Sequence, residues 1–570
     1  MRFKKHWQMV FFQGNGLALL SILGILTGVA TSLIIAWFMI SIDTLLALLH
    51  GEKSAGFAGF TPWMRLTLPL VGALCLIALF RFTPKKIQEI GITHVIDRLQ
   101  RGRAKLPVGN IFFQFFSALI ALASGFSLGK EGPAVHVGSG IANRMGLELN
   151  RSPSQLRLLT GCGTAAAISA AFGTPLAGVM FAMEVVLMEY SLNGFIPIVA
   201  ASVTAAATAQ LFLGDHPAFF QIDIKAISLI DGPWLILTGI ATGAVAAIMH
   251  KLIKQFLSMN LVRIEYRFLI AGLITGLLGM LLPQVMGLGY DTMNAIITGQ
   301  FVWWILLAIL VAKVIATSAA VGLGVPAGIV APSLVIGMAV GGVIGFLAPG
   351  QGNDSFYALI GMAGMMSALL HAPLAALTAV LELSQNAEMM FPAMVVVVLS
   401  NLTCQVLFLQ PSIFQTLLAN KGLHITTHPM RHALSSRFLT EIASEQFALI
   451  TEGMDDEIIE GLIATSRKLV VFRYGNGSFL VTMTAIAKQY ENWTLLESRE
   501  SVPLIDFLAK IIPDRSRISI ISSDISLLEA IKILQNDDVV GIQVPLDEFR
   551  IGLVTRSKLT SVLTTEGELH

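Results

Sequence analysis

The chain has 570 residues, 55% of them hydrophobic and only 13% charged, with a mean hydropathy of +0.75. Soluble domains are about 25% charged, so most of this chain belongs in a bilayer. A net charge of +1 argues against nucleic acid as a partner.

The N-terminus reads Met1-Arg2-Phe3-Lys4-Lys5-His6, and an apolar stretch from Leu17 to Leu49 follows. That stretch is too long for a signal-peptide core and lacks a small-residue cleavage site. It reads as a first membrane helix with its basic flank in the cytoplasm. Apolar segments then succeed one another to about Leu418: Leu68–Phe80, Ile111–Leu128, Leu156–Ala171, Pro175–Met188, Phe195–Phe212, Pro233–Met249 and Phe268–Leu282. The second half continues with Val302–Ala320, Gly328–Leu347, Phe356–Leu370, Pro373–Leu383, Phe391–Phe408 and Ser412–Leu418. Many are short for a plain ~20-residue span, and Gly and Pro punctuate their ends, which fits half-length, tilted helices. Cys75, Cys162 and Cys404 sit within apolar runs without pairing or metal spacing and read as buried thiols.

Within this array a pattern occurs twice. Gly129-Lys130-Glu131-Gly132-Pro133 ends one hydrophobic segment, and Gly328-Ile329-Val330-Ala331-Pro332 ends another. Behind them Gly163, Ser169, Ala170, Pro175, Leu176, Ala177 and Glu184 reappear at one constant offset as Gly361, Ser367, Ala368, Pro373, Leu374, Ala375 and Glu382. Small-residue, Pro-broken segments at matching positions of two halves are the best sequence pointer to a transporter site. Irregular backbone at membrane depth must be buried in protein or line a watery cavity.

A Gly-x-x-Gly-Pro turn opening a helix lets unpaired N–H groups and the positive end of the helix dipole approach an anion. Pro sits in the first turn, where no N–H is missed. Only the first copy carries an acid, Glu131. Ionised, its carboxylate competes with an anion for the same amides; protonated, it loses that attraction and can swing away. The bland alternative is a buried Glu131 paired with Lys130 or another base, beside a Gly-Pro pair that merely makes a turn. The matched second half favours the functional reading.

From about residue 430 charges return. Lys468–Phe472, Ser478–Val481, Val540–Val544 and Ile551–Val554 read as strands and Ser526–Gln535 as an amphipathic helix. The expected division is a membrane domain over 1–425 and a soluble domain over 426–570. His424, His428 and His432 fall at helical spacing, but Pro429 interrupts them, so a solvated connector is favoured over a metal site.

The two repeated turns resemble those of the CLC chloride channel and transporter family, and the likeness extends over nearly the whole chain. It implies an all-α polytopic membrane domain built as an inverted repeat of short tilted helices. The stretches Ser522–Ala530, Asp537–Val544 and Gly552–Ser557 resemble a CBS motif, and Phe447–Ile486 a degenerate first copy, implying a small α/β CBS-pair domain. CBS domains are usually cytoplasmic, which places both termini inside and makes the number of crossings even. The resemblance implies that Glu131 is the gate and that Gly129, Lys130 and Gly132 belong to the anion site. It also implies that the Ile329 and Val330 amides contact a central anion. It further implies a homodimer with one pathway per subunit, its interface around Pro175–Met188, Phe195–Phe212 and Pro373–Phe408, in the plasma (inner) membrane.

Three departures from the family stand out. Its Gly-Ser-Gly-Ile-Pro turn, whose serine contacts the central anion, is Glu89-Ile90-Gly91-Ile92-Thr93 here, with Ile90 at the serine position. Gly138-Ser139-Gly140-Ile141 only imitates that turn, inside the helix after Glu131. The pore tyrosine is replaced by Phe414, so Ile90, Gly91 and Phe414 would line a central site lacking both hydroxyls. Val185 stands where many exchangers carry an internal proton-transfer glutamate and where channels carry valine. This favours a passive chloride channel over proton-coupled exchange, with Glu184 or Glu189 as substitutes if exchange occurs. A packing role at helix ends is favoured for Glu184 and Glu382. Lys558 stands where nucleotide-binding CBS domains place an acid for the ribose, and lysine cannot accept those hydroxyl hydrogens. No cofactor is expected, and a structural or dimer-coupling role is favoured for the tail. Two other classes fare worse. A membrane metalloprotease needs a His-Glu-x-x-His pair that is absent, and a divalent-cation transporter needs several acids along its path.

Overall fold

A computed structural model describes residues 17–50, 56–100, 105–214, 231–259, 263–349 and 354–423, then 434, 438–465, 467–475, 477–496, 503–512, 516–521, 525–546 and 550–567. The basic N-terminal flank, the three connector histidines and Ser522–Asp524 of the CBS-like stretch lie outside these residues. The chain divides into two compact units, residues 1–99 with 104–425, and residues 100–103 with 426–570.

The first unit is helical. Its first half runs through α1 (Leu17–His50), α2 (Pro62–Phe82), α3 (Gly91–Gln100), α4 (Val108–Ala123), α5 (Glu131–Glu148), α6 (Pro153–Phe172), α7 (Pro175–Phe181) and α8 (Leu192–Leu213). The second runs through α9 (Gly232–Ser258), α10 (Ile264–Leu281), α11 (Tyr290–Ile297), α12 (Trp303–Gly322), α13 (Val330–Leu347), α14 (Asp354–Leu370), α15 (Pro373–Ser384), α16 (Met390–Leu402) and α17 (Ile413–Asn420). Eight helices among the described residues are long and apolar enough to cross a membrane, and α4, α14 and α15 are shorter. Two expected segments end early. The run Ile111–Leu128 stops being helical at Ala123 because Gly125 turns left-handed (φ +84°), and the α-helical part of α7 gives way at Ala182 to a wider turn with i→i+5 bonding that ends at Leu187.

The repeat is visible in the packing. α5 crosses α6 where Gly138 and Gly163 meet backbone to backbone, and α13 crosses α14 where Gly337 meets Gly361. A methyl on Gly337 would lie 2.4 Å from the Gly361 carbonyl oxygen, so only glycine permits this approach. Ser139, within α5, bonds the Thr164 hydroxyl at 2.8 Å and serves this crossing. The halves also cap each other. The Glu184 carboxylate accepts from the Leu374 and Ala375 amides at 3.0 and 2.8 Å, and Glu382 accepts from Leu176 and Ala177 at 2.8 Å each. Each acid thus satisfies the orphan N–H groups at the start of the other half's Pro-led helix. This is the helix-end role expected of both, and it occupies Glu184. Glu189 lies 3.6 Å from the buried Arg157.

The second unit is α/β. A six-stranded sheet carries β1 (Phe447–Thr451), β2 (Leu469–Tyr474), β3 (Gly477–Thr482), β4 (Arg517–Ile520), β5 (Val539–Pro545) and β6 (Ile551–Thr555) in sequential order. β1 pairs parallel with β2 and β2 antiparallel with β3; β4, β5 and β6 repeat that pattern. Helices α18 (Asp456–Ile463) and α19 (Met483–Thr494) flank the first triplet, and α21 (Leu527–Leu534) and α22 (Arg556–Gly567) the second, with α20 (Leu504–Ala509) between them. The tail is therefore two copies of one β-α-β-β-α unit, consistent with a CBS pair. Ser526 and Glu529 form a reciprocal capping box at the start of α21. A cavity of about 400 Å³ is lined by Phe447, Leu469, Thr555 and Lys558, among others.

Glu184→Ala and Glu382→Ala should each lower the midpoint of thermal unfolding in detergent. Each removes two charge-assisted bonds, worth roughly 1.5–3 kcal/mol apiece. The two drops should be similar because the caps are equivalent. A marked inequality would show that the reciprocity is not energetic.

Candidate anion site

The two repeated turns are joined directly. Gly129 N donates to Gly328 O and Gly328 N donates to Gly129 O, each at 2.7 Å, closing a two-bond antiparallel bridge. The approaches to this bridge match residue for residue. Gly125 and Gly324 are left-handed at φ +84° and +85°. Leu128 N donates to Phe126 O at 2.8 Å, and Ala327 N to Val325 O at 3.0 Å. Ser127 and Thr317 join hydroxyls at 2.9 Å beneath it. From this bridge α5 and α13 depart, so two helix N-termini, each worth about half a positive charge, share one buried point.

Glu131 opens α5 and is fully buried. The backbone amides of Val330 and Ala331 face its carboxylate from the other half. Neither oxygen closes a hydrogen bond of full geometry, so the acid rests in the amide field without being locked there. Glycine is required around it: a methyl on Gly328 would lie 2.7 Å from Gly132 N and 2.8 Å from Glu131 Oε2, and one on Gly129 would run into the same oxygen.

Lys130 does not pair with Glu131, for no ion pair joins them within 4.0 Å. Its ammonium instead lies 4.7 Å from the Tyr290 ring centroid and 5.5 Å from that of Phe172, and touches Met39 Sδ at 3.7 Å. The two charges act on each other across the turn without a direct ion pair. A cation held by ring faces keeps its field available to an anion nearby. Tyr290 is placed by a loop that Lys313 supports. That fully buried lysine donates to Val285 O at 3.0 Å, and Gly287 N donates to Gly125 O at 3.1 Å. A cavity of about 1180 Å³ lies beside this loop, with Asp43, Phe57, Leu288, Tyr290 and Asp291 among its walls.

Gly129, Lys130, Glu131, Gly132, Ile329 and Val330 are thus brought together. The other three expected residues, Ile90, Gly91 and Phe414, belong to the start of α3 and to α17. Ile90 is half-buried and Phe414 buried, both in the main apolar core. Gly91 opens α3, but its N–H is already given to Gln114 Oε1 at 2.7 Å. The amide is thus occupied, by a residue, Gln114, that the sequence argument did not include. Sequence reasoning also missed Tyr290, Phe172 and Lys313, and a buried contact between His94 and His136 at 2.8 Å. An ionisable residue inside an apolar segment is a functional signal in itself. Lys313 and His136 could have been found that way; the aromatic pair could not.

Comparison with known proteins identifies the family and the fold. A family model described as voltage gated chloride channel matches residues 71–405, more than half of the chain. The voltage-gated ClC-type chloride channel ClcB of Citrobacter koseri is 26% identical over 386 residues, covering 65% of this chain and 90% of that protein. The crystal structure of a slow cyanobacterial chloride/proton antiporter superposes with a TM-score of 0.63 at 20% identity, covering 70% of this chain and 97% of that one. A eukaryotic CLC transporter gives 0.62 at 18% identity and covers 95% and 97% of the two chains, so the shared fold includes the tail. The chain is a multi-pass integral membrane protein and belongs to the voltage-gated chloride channel, or CLC, family.

Proposed function

We propose that this protein moves chloride across the membrane past Glu131 and exchanges it for protons. The observation that carries this reading is the Glu131 carboxylate, buried at the Gly129–Gly328 bridge against amides of the opposite half. In that position an anion and the ionised side chain compete for the same donors, and protonation releases the site. A group that must gain a proton to yield to the anion couples the two fluxes, provided a proton can reach it from both sides. A passive channel is the second reading, favoured by Val185 and by the names of the sequence relatives. Exchange is preferred because one of the structural neighbours, matched over 97% of its length, is described as a chloride/proton antiporter. A homodimer in the inner membrane with both termini cytoplasmic completes the reading. Apolar side chains such as Ile196, Val203, Phe391 and Val398 stand exposed on α8 and α16 for a second copy or lipid to cover. In the tail, Lys558 beside Thr555 gives the cavity a donor where a ribose needs an acceptor, so nucleotide binding is not part of this reading.

Liposomes with simultaneous chloride and proton recording test the proposal. The unsubstituted protein should drive protons uphill on a chloride gradient. Glu131→Gln should abolish proton movement and leave a chloride flux that no longer responds to pH. Uphill proton movement that persists in E131Q would overturn the gate assignment.

Ile90 and Phe414 bear on affinity. A neutral hydrogen bond is worth about 1 kcal/mol net, or roughly fivefold in affinity. Ile90→Ser and Phe414→Tyr should each tighten chloride binding by about that factor in titration calorimetry. No change in either variant would place the anion away from both side chains.

A further inference from the structure

Two histidines lie outside the site described so far, and both are buried. His94, on α3, has its ring 2% exposed as a residue, and His136, on α5, is 0% exposed. His94 Nδ1 and His136 Nε2 are 2.8 Å apart, a hydrogen bond between rings carried by two different helices. The far nitrogen of each ring is in a distinct environment. His136 Nδ1 has no partner. His94 Nε2 meets two groups at once: Arg98 Nε donates to it at 3.1 Å, and Glu89 Oε2 lies 3.3 Å away. Arg98 and Glu89 are themselves 3.1 Å apart, and their side chains are 37% and 52% exposed. The remaining charge facing the pair is Lys421, beyond the end of α17, which also lies near Glu89 and Asp97.

The two ends of this cluster open in different directions. His136 sits five residues after Glu131 on the same helix, a rise of about 7.5 Å. Glu89 follows α2, which returns from the end of α1 where Asp43 borders the large cavity. Glu89 is therefore on the opposite face from that cavity, near the end of the membrane unit marked by Lys421. A pair kept only for stability has no reason to leave a buried imidazole nitrogen unpartnered, which costs about 1–3 kcal/mol.

We propose that His94 and His136, with Glu89 at the exposed end, form the internal proton route to the Glu131 region. This rests on the exchange reading above. The chemistry follows from the two tautomers available to the pair. In the first, Arg98 donates to His94 Nε2, His94 Nδ1–H donates to His136 Nε2, and His136 holds its own proton on Nδ1. When Glu89 delivers a proton to His94 Nε2, the Nδ1 proton of His94 passes to His136 Nε2, and His136 releases its Nδ1 proton inward. One proton enters, one leaves, and no charge remains. In the second tautomer, His136 Nε2–H donates to His94 Nδ1, and His94 Nε2–H donates to Glu89. That arrangement accepts a proton at His136 Nδ1 and returns one to Glu89. Arg98 and Glu89 thus each favour one direction of travel, and bridging water carries the last step between His136 and Glu131. Glu184 is engaged in capping and Glu189 lies beside Arg157, so neither is needed for the task.

The experiment is the ratio of proton to chloride flux in liposomes containing the full chain. His94→Asn and His136→Gln keep an amide in each ring's place but cannot relay a proton. Each should cut proton flux at least tenfold while chloride flux stays within twofold, and Glu89→Gln should lower proton flux several-fold. An unchanged ratio in H94N and H136Q overturns the route and leaves exchange standing. An unsubstituted protein that moves no protons removes exchange and the route together. Should both histidine variants fail to give a monodisperse protein, the exposed E89Q decides, and an unchanged ratio there overturns the proposal.

Discussion

Two backbone hydrogen bonds between Gly129 and Gly328 organise the membrane unit. They are short, mutual and fully inside the protein, where an unmade backbone bond costs far more than in water. Because they join the residues that launch α5 and α13, they fix the distance and angle at which two helix N-termini face one point. The proposed anion site is a by-product of that closure. It needs no full charge of its own, since the amide dipoles supply the field and, among the described residues, the Lys130 ammonium held by aromatic faces adds to it. Ions that leave quickly require a site of this moderate strength.

Much of this was legible in the sequence because the repeat is written in residue types that have few other uses. Gly129, Gly328, Gly163 and Gly361 occur at matched positions because helices and turns must approach to contact distance there. Glu184 and Glu382 match because each caps the other's partner. Strand and helix signals in the tail were equally readable, from Ser526 with Glu529 to the β5 and β6 runs. What could not be read were contacts made across long separations by residues of ordinary appearance. Tyr290 looks like any interfacial tyrosine until the loop held by Lys313 swings it over Lys130. Gln114 looks like a helix-interior polar residue until it meets the Gly91 amide. His94 and His136 each look like an isolated core histidine; only the crossing of α3 and α5 makes them a pair.

The departures from the family's usual residues share a physical theme. Ile90 and Phe414 remove hydroxyls, Val185 removes an acid, and Gln114 consumes an amide that the family-based reading had left open. The polar work of the interior is correspondingly concentrated on α5 and on what touches it: Glu131 at its start, Lys130 just before, Ser139 at the α6 crossing and His136 between them. A single helix thereby carries the proposed gate and the buried imidazole that reaches α3, with Lys130 just ahead of its first residue.

The reciprocal caps have a consequence for how the chain is made. The amides of Leu176 and Ala177 find their carboxylate in Glu382, about 205 residues later in synthesis. Until that residue has been translated, the first half carries these two donors at the start of a Pro-led helix without their carboxylate. The nascent chain is thus held in a partly unsatisfied state that only its own C-terminal half relieves. A chain ending before Glu382 lacks the carboxylate that caps those two amides in the finished protein.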